Sequence, residues 1–343
     1  DDVICRLPSQ EQCCKVLLLD VDLIQACWRK MERNDYRPVF VFIDGIFGGG
    51  VSNHVRVHLR KKYPAYCFLD LSCGPVSSVA DRAVECFYEL YGGRVDYSCG
   101  LDGETLENGH DRFGRLEAGL LGPSNWSETT PIHIFAYSLG APTARYLQYL
   151  LAKQAFIDEM GRPIRTSASW IASICTCQAV NNGTDAVYAA GLSRRTLEPV
   201  AMSPMWWIFN AIYLLVWLNL PLLNRRLGMR LEHWQARREH GVGLWRLLTW
   251  RPGVKNNAAR DLCPIRMADI NARIAQELPC AETRYVACGS CCTSPLVPSL
   301  HRALGPLGPL AEPRWLARNS THYSMRHRPR LRVALGVADA VGG

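Results

Sequence analysis

The stretch Ile132-His133-Ile134-Phe135-Ala136-Tyr137-Ser138-Leu139-Gly140 decides the fold class of this chain. Its first five residues are apolar apart from one histidine, a composition that is typical of a buried β-strand. Small residues, Ala136 and Gly140, stand two positions before and after Ser138, and a helical pattern runs from Ala141 to Ala155. This spacing predicts a sharp strand-to-helix turn with Ser138 at its apex. The alternative interpretation is a serine that caps the N-terminus of the helix.

Other segments of the chain repeat the order of strand followed by helix. Pro38–Ile43 and Ala65–Leu69 predict two more strands, and Ser77–Tyr91 predicts the helix that follows the second of them. Strands that alternate with helices indicate a mainly parallel sheet covered on both faces. Such sheets carry their functional residues at the carboxyl ends of the strands. The positions to inspect are therefore 44–50 and 137–140.

A glycine-containing segment, Gly45-Ile46-Phe47-Gly48, follows the first predicted strand. The backbone N–H groups of Ile46 and Leu139 are candidates for an oxyanion hole beside Ser138. The neighbouring glycines could instead suggest a dinucleotide-binding turn. That interpretation requires a third glycine at position 53, where Asn53 stands, and segment 51–63 is charged rather than typical of a tight crossover helix.

Composition excludes several classes of protein. The 343 residues are 48% hydrophobic and 20% charged, which is close to the globular average and argues against disorder, collagen and coiled coil. The net charge is +8, but the basic residues are scattered along the chain, so a nucleic-acid partner is not expected. Fifteen cysteines, an odd number, favour a reducing compartment and thus an intracellular, membrane-associated location. Because the chain starts at Asp1 without a methionine, we interpret it as a trimmed fragment.

Several motifs in the same order resemble one family. They are Gly74-Pro75-Val76-Ser77-Ser78, Asp81-Arg82-Ala83, Gly109-His110-x-Arg112-Phe113-Gly114-Arg115 and Arg230-Leu231-Glu232-His233-Trp234. With the turn at Ser138, they resemble the thermoalkalophilic lipases of bacilli and staphylococci and their plant and protist relatives. The resemblance implies an α/β-hydrolase fold over residues 38–300, with a mainly parallel central sheet, helices on both faces and an inserted metal and lid subdomain. A helical extension at 1–37 and a divergent or truncated basic tail at 301–343 would flank it.

The resemblance implies a carboxylic ester hydrolase of the triacylglycerol-lipase type that acts on lipid esters without an organic cofactor. Ser138 would be the nucleophile. The position of the family's acid is taken by Asn319, and the family's histidine would lie beyond Gly343, so His322 and His327 are the nearest candidate bases. The alternative hypothesis is a catalytically impaired or inactive lipase-like protein that binds lipid surfaces or a partner.

The family also implies a zinc site built from two carboxylates and two histidines. Asp81, His110 and Glu232 fall on three of its positions, but the first histidine is missing. Asp102, Glu104 or Cys99 could substitute for it. A site rich in carboxylates would bind zinc less tightly and would suit another divalent cation. The alternative is that Asp81 caps a helix or pairs with its neighbour Arg82, and that His110 is an ordinary loop residue.

The segment Trp206–Leu223 is apolar apart from Asn210, Asn219 and Pro221, and arginines follow it. The family places its lid here, at about 200–250, and an apolar lid helix would contact a lipid or membrane surface. A membrane span and a buried helix are the alternatives, because the segment is close to the length that a bilayer requires.

Overall fold

The computed structural model describes residues 38–46, 50–100, 111–218, 230–231, 233–234 and 256–288. The predicted extension at 1–37 and the tail at 301–343 lie outside these residues. Of the predicted lid region, the structure describes 200–218 and four residues of segment 230–234.

A five-stranded parallel sheet forms the centre of the molecule, in the strand order β2-β1-β5-β6-β7. Its strands are β1 (Val39–Ile43), β2 (Cys67–Leu71), β5 (Ile132–Tyr137), β6 (Ile171–Cys177) and β7 (Arg284–Cys288). Val39 of β1 lies opposite Cys67 on one side and Ile132 on the other. The three strands expected from the sequence are therefore confirmed, with boundaries that differ by one or two residues.

Helices connect the strands, and a short antiparallel pair of strands lies outside the sheet. The helices are α1 (Gly50–Lys62), α2 (Val79–Tyr91), α3 (Gly140–Ala152), α4 (Ala186–Ala189), α5 (Pro204–Leu218), α6 (Ala258–Asp261) and α7 (Pro264–Ile274). The antiparallel pair, β3 (Gly93–Asp96) and β4 (Phe113–Glu117), is inserted between α2 and β5. Helix α2 starts where the hydroxyl of Ser78 accepts the N–H of Asp81, which is an N-cap.

The expectation for segment 51–63 was wrong, because residues Gly50–Lys62 form helix α1 between β1 and β2. Its apolar residues Val55 and Leu59 are four positions apart and buried, so they share the face that packs on the sheet. The last turn carries three exposed basic residues, Arg60, Lys61 and Lys62. Positive charge at this end of a helix interacts favourably with the helix dipole. The charged character therefore reflects one solvated face of a crossover helix.

Both faces of the sheet are covered, as the alternation of side chains in β1 shows. Val41 and Ile43 belong to the main core, which includes the inner faces of α2 and α3. Phe40 and Phe42 point to the other face and pack with Val55 and Leu59 of α1. The sheet with helices on both faces, expected from the sequence, is confirmed.

A histidine lies inside this packing on β5. His133 is 3% exposed, its Nδ1 is 2.8 Å from Oγ of Ser173, and its ring stacks on Phe40 with centroids 5.2 Å apart. Burial lowers the pKa of His133 to about 4, so the ring is neutral near pH 7. His133 is therefore part of the packed core and not of an exposed site.

Candidate functional site: the serine turn and the buried polar network

The predicted sharp turn is present between β5 and α3. Ser138 has φ 52, a left-handed conformation that non-glycine residues rarely adopt. Its N–H donates to the carbonyl of Cys177 in β6 at 3.0 Å, and its own carbonyl accepts the N–H of Ala141 at 3.1 Å. The N-cap of α3 is Leu139, without a capping side chain, so Ser138 does not cap this helix. The backbone around the turn thus holds a partly exposed serine in a strained geometry.

Close backbone contacts explain the small residues around Ser138. A Cβ atom on Gly140 would collide with the carbonyl oxygen of Ile43 in β1. A Cβ atom on Gly45 would lie 2.9 Å from Cβ of Ser138 and 3.3 Å from its Oγ. Both positions therefore require glycine, whereas Ala136 is accommodated in the buried strand. The structure brings the segment at Gly45 and Ile46 next to Ser138, as the positions at the strand ends predict.

A second group of polar side chains is buried around Asp81, which has no exposed surface. Nδ2 of Asn256 donates to both carboxylate oxygens of Asp81 at 2.9 Å. Nε2 of His233 lies 3.8 Å from Oδ2 of Asp81. On the other side of the ring, Nδ1 of His233 is 3.0 Å from the hydroxyl of Tyr97, which donates to Glu85 at 3.0 Å. Burial raises the pKa of Glu85 and that of Tyr97 above their ordinary values.

The network continues to Arg230, which is 4% exposed and has φ 48. Its guanidinium lies 2.8 Å from Glu89, 3.2 Å from Glu117 and 3.7 Å from Glu85. Burial acts to lower the pKa of Arg230, but these carboxylates raise it above its ordinary value. The Arg230 guanidinium therefore balances the negative charge of three acidic side chains. These ion pairs also hold the backbone at residue 230, three positions before His233, against the core.

Of the predicted metal ligands, Asp81 and the possible substitute Cys99 lie within the described residues. His110, Glu232, Asp102 and Glu104 lie outside them, as do Asn319, His322 and His327. The thiol of Cys99 is 3.6 Å from the hydroxyl of Tyr88. In the part of the chain that the structure describes, no three His, Cys, Asp or Glu side chains are arranged to hold a metal ion.

His233 belongs to a motif for which no role of the histidine was predicted, and Asn256 was not predicted as part of a site. Tyr97 and His233 are 136 positions apart, and Asp81 and Asn256 are 175 apart. No local pattern connects residues at such distances. The local signal for this region was the motif at 230–234, which contains Arg230 and His233 but does not show what they contact.

Helix α5 is apolar on opposite sides. Met205, Phe209 and Ile212 are buried, whereas Trp207 is 53% and Leu214 37% exposed. Among the described helices, none is long and apolar enough to cross a bilayer.

A parallel sheet with a serine on the turn between a central strand and the next helix is the arrangement of the α/β-hydrolases. Comparison with known proteins is consistent with this class. The family described as "Lipase-like, C-terminal domain" matches residues 34–195. The lipase of Staphylococcus hyicus is 29% identical over 237 residues, which cover 62% of this chain and 34% of that lipase. Lipase 1 of Staphylococcus aureus is 30% identical over 156 residues, which cover 42% of this chain and 22% of that protein.

These matches confirm the relation to the staphylococcus-type lipases that the motifs predict. The chain spans about a third or less of the length of these relatives. Among solved structures, that of Staphylococcus hyicus lipase aligns with a TM-score of 0.49 at 25% identity, covering 70% of this chain and 65% of that one.

Proposed function

We propose that this chain is a lipase-type carboxylic ester hydrolase in which Ser138 is the nucleophile. The observation that carries the proposal is the left-handed Ser138 at the strand-to-helix turn, in contact distance of Gly45. Oγ of Ser138 would attack the ester carbonyl carbon, the C–O bond to the alcohol would break, and the alcohol would leave with the proton given up by the serine. Water would then cleave the acyl-serine bond, which releases the fatty acid and restores the serine hydroxyl. The relatives named as lipases support lipid esters as the substrate class.

The amides of Ile46 and Leu139 are the proposed oxyanion donors. In the described part of the chain, the amide of Leu139 has no backbone acceptor, whereas that of Ser138 donates to Cys177. Ile46 directly follows Gly45, which lies against Ser138. Two amides that need no rearrangement during the reaction stabilise a developing oxyanion by about 3 kcal/mol each.

Covalent labelling by a fluorophosphonate tests the proposed nucleophile. We expect one adduct per chain, and peptide mapping by mass spectrometry should place it on Ser138. A folded chain that takes up no probe, or takes it up elsewhere, would refute the proposal. The alternative of an inactive lipid-binding protein rests on Asn319 at the position of the family's acid, which lies outside the described residues, and the lipase relatives do not favour it.

The outer face of α5 is the proposed contact with the lipid surface, as part of a lid. Trp207, Ala211 and Leu214 are spaced to share one side of the helix, and all three are exposed. An apolar stripe of this kind stabilises binding at a lipid–water boundary. Trp207 would suit the level of the headgroups.

Vesicle co-sedimentation tests this surface. The double variant Trp207→Ser, Leu214→Ser should lower the partition coefficient by about tenfold or more, because it removes two large apolar side chains from the lipid contact. The matched control is Leu116→Ser, Ile265→Ser, which alters two apolar side chains that are exposed elsewhere, at 69% and 58%. Equal partitioning of both double variants and the unchanged chain would contradict the proposal.

A divalent cation, zinc or another, is proposed at Asp81. Its carboxylate and Nε2 of His233 are 3.8 Å apart, and zinc ligands lie about 2 Å from the ion, so both donors can reach one ion. Tyr97 fixes the ring through Nδ1, as partners of metal-binding histidines do. His233 would stand in for the missing histidine, together with His110 and Glu232. A bound cation would tie segment 230–234 to α2.

Metal analysis after dialysis tests the cation site. We expect bound cation in the unchanged chain and a lower content in Asp81→Asn and in His233→Gln. Asp158→Asn, which alters a half-buried carboxylate that pairs with Arg162 rather than with His233, should keep the original content. An unchanged chain without bound cation would overturn this proposal and leave the one for Ser138 untouched.

A further inference from the structure

Arg82 is a buried arginine in the middle of helix α2. Its side chain is 1% exposed, and arginine is almost never fully buried unless its donors are satisfied. The described contacts of its guanidinium are with two carbonyl oxygens and one hydroxyl. Because burying a charge is unfavourable, a buried arginine contributes little to stability by its charge alone. Its hydrogen bonds can instead hold the groups that accept them in fixed positions.

The three contacts of Arg82 lie on three different elements. Nη2 donates to the carbonyl of Asp44, directly after β1. Nη1 donates to the carbonyl of Gly74 in the loop after β2 at 2.7 Å. Nε donates to Oγ1 of Thr143 on the first turn of α3 at 3.2 Å. The rigid fork of arginine therefore joins the carboxyl ends of two strands to the helix that follows Ser138.

Two of these contacts act on the peptides beside the proposed oxyanion donors. The carbonyl of Asp44 belongs to the peptide that ends at Gly45, so holding it restricts the orientation of the following Gly45–Ile46 peptide. Thr143 connects Arg82 to Leu139, because its Oγ1 accepts from Arg82 and donates to the carbonyl of Leu139 at 2.9 Å. Arg82 thus fixes the backbone on both sides of the space in front of Ser138.

We propose that Arg82 is a positioning residue that aligns the amides of Ile46 and Leu139 for the oxyanion, an inference that rests on the proposed hydrolase function. Aligned amides act on charge that develops only in the transition state. Loss of the alignment should therefore lower kcat and leave KM nearly unchanged. A residue that only stabilises the core would change neither constant of the folded enzyme.

Thr143→Val is the first test, because it keeps the shape of the side chain and breaks only the connection between Arg82 and Leu139. We expect a folded protein whose kcat for a soluble ester falls about tenfold, with KM within about twofold. Arg82→Met should lower kcat by about a hundredfold, since displaced catalytic groups can cost that much. Arg82→Lys should be intermediate, because a lysine cannot reach three acceptors in fixed geometry.

Gln148→Met is the matched control for a buried polar contact. Gln148 is also on α3 and fully buried, but it bonds to Thr283 at 2.7 Å and to the carbonyl of Ala168, away from Ser138. This variant should have a lower melting temperature and an unchanged kcat. The labelling rate with the fluorophosphonate should follow kcat across all the variants.

Normal kcat and labelling in folded Thr143→Val and Arg82→Met would overturn the inference. So would a change confined to KM, or an equal loss of kcat in Gln148→Met. An unchanged chain that neither hydrolyses esters nor reacts with the probe would overturn the proposed function itself. The two failures are therefore distinguishable.

Discussion

Replacing Ser138 by alanine is expected to reduce ester hydrolysis by at least about a thousandfold and to remove labelling by a fluorophosphonate. Removing the nucleophile of a serine hydrolase abolishes the covalent route, and the other groups of the site provide only a small residual rate. The fold should survive, because the bond from residue 138 to Cys177 is made by the backbone N–H. Circular dichroism and the melting temperature check the fold beside the rate measurement.

Ser138→Gly separates the chemistry of the side chain from the strain of the backbone. Glycine adopts positive φ without steric cost, whereas serine or alanine at φ 52 is strained by about 1 kcal/mol. We therefore expect Ser138→Gly to be more stable than Ser138→Ala by roughly that amount, with both variants inactive. Substantial activity in either variant would show that residue 138 is not the nucleophile. A clearly higher stability of Ser138→Ala would show that the turn is not strained, because alanine also loses less chain entropy on folding than glycine.

Local patterns were sufficient to predict the turn and the strands before and beside it. The apolar run before Ser138 and the small residues around it form a pattern within nine consecutive residues, so it is visible in the sequence. In the structure, the backbone of Gly140 packs on β1, which explains why a small residue stands there. Helix α1 was missed because charge along a segment says little until the buried face is known. In the structure, Val55 and Leu59 define that face.

The polar network could not be predicted from local patterns. Arg230 bonds to Glu89, which is 141 positions earlier, and Asp261 accepts the N–H of Val79 from 182 positions away. A charged residue in a sequence normally indicates a solvated surface. Only the fold places these groups together, so the structure was needed to find Arg82, Arg230 and His233.

Arg230→Met is expected to destabilise the protein by about 3–5 kcal/mol, because it removes the cation from a cluster of buried carboxylates. Glu85, Glu89 and Glu117 all approach the Arg230 guanidinium, and Glu85 is only 1% exposed. Methionine fills much of the same volume, so the loss measures the missing charge more than a cavity. Chemical denaturation at neutral pH measures the difference in unfolding free energy.

The pH dependence of Arg230→Met provides the decisive measurement. Burial already raises the pKa of Glu85, and Arg230 opposes that shift. Without Arg230, the folded-state pKa of Glu85 rises further above its unfolded value, so the folded variant binds more protons than its unfolded chain. Stability of the variant relative to the unchanged chain should therefore increase as the pH falls from neutral toward the ordinary pKa of glutamate.

Two further variants show whether this effect belongs to the buried cluster. Arg162→Met removes an arginine whose ion pair with Asp158 is exposed, and it should change the unfolding free energy little at any pH. Adding Glu85→Gln to Arg230→Met should recover part of the lost stability, because one of the stranded carboxylates becomes neutral. A loss that is independent of pH and insensitive to Glu85→Gln would mean that Arg230 acts through packing. In that case the network of carboxylates would not be what holds Arg230 and Leu231 against the core.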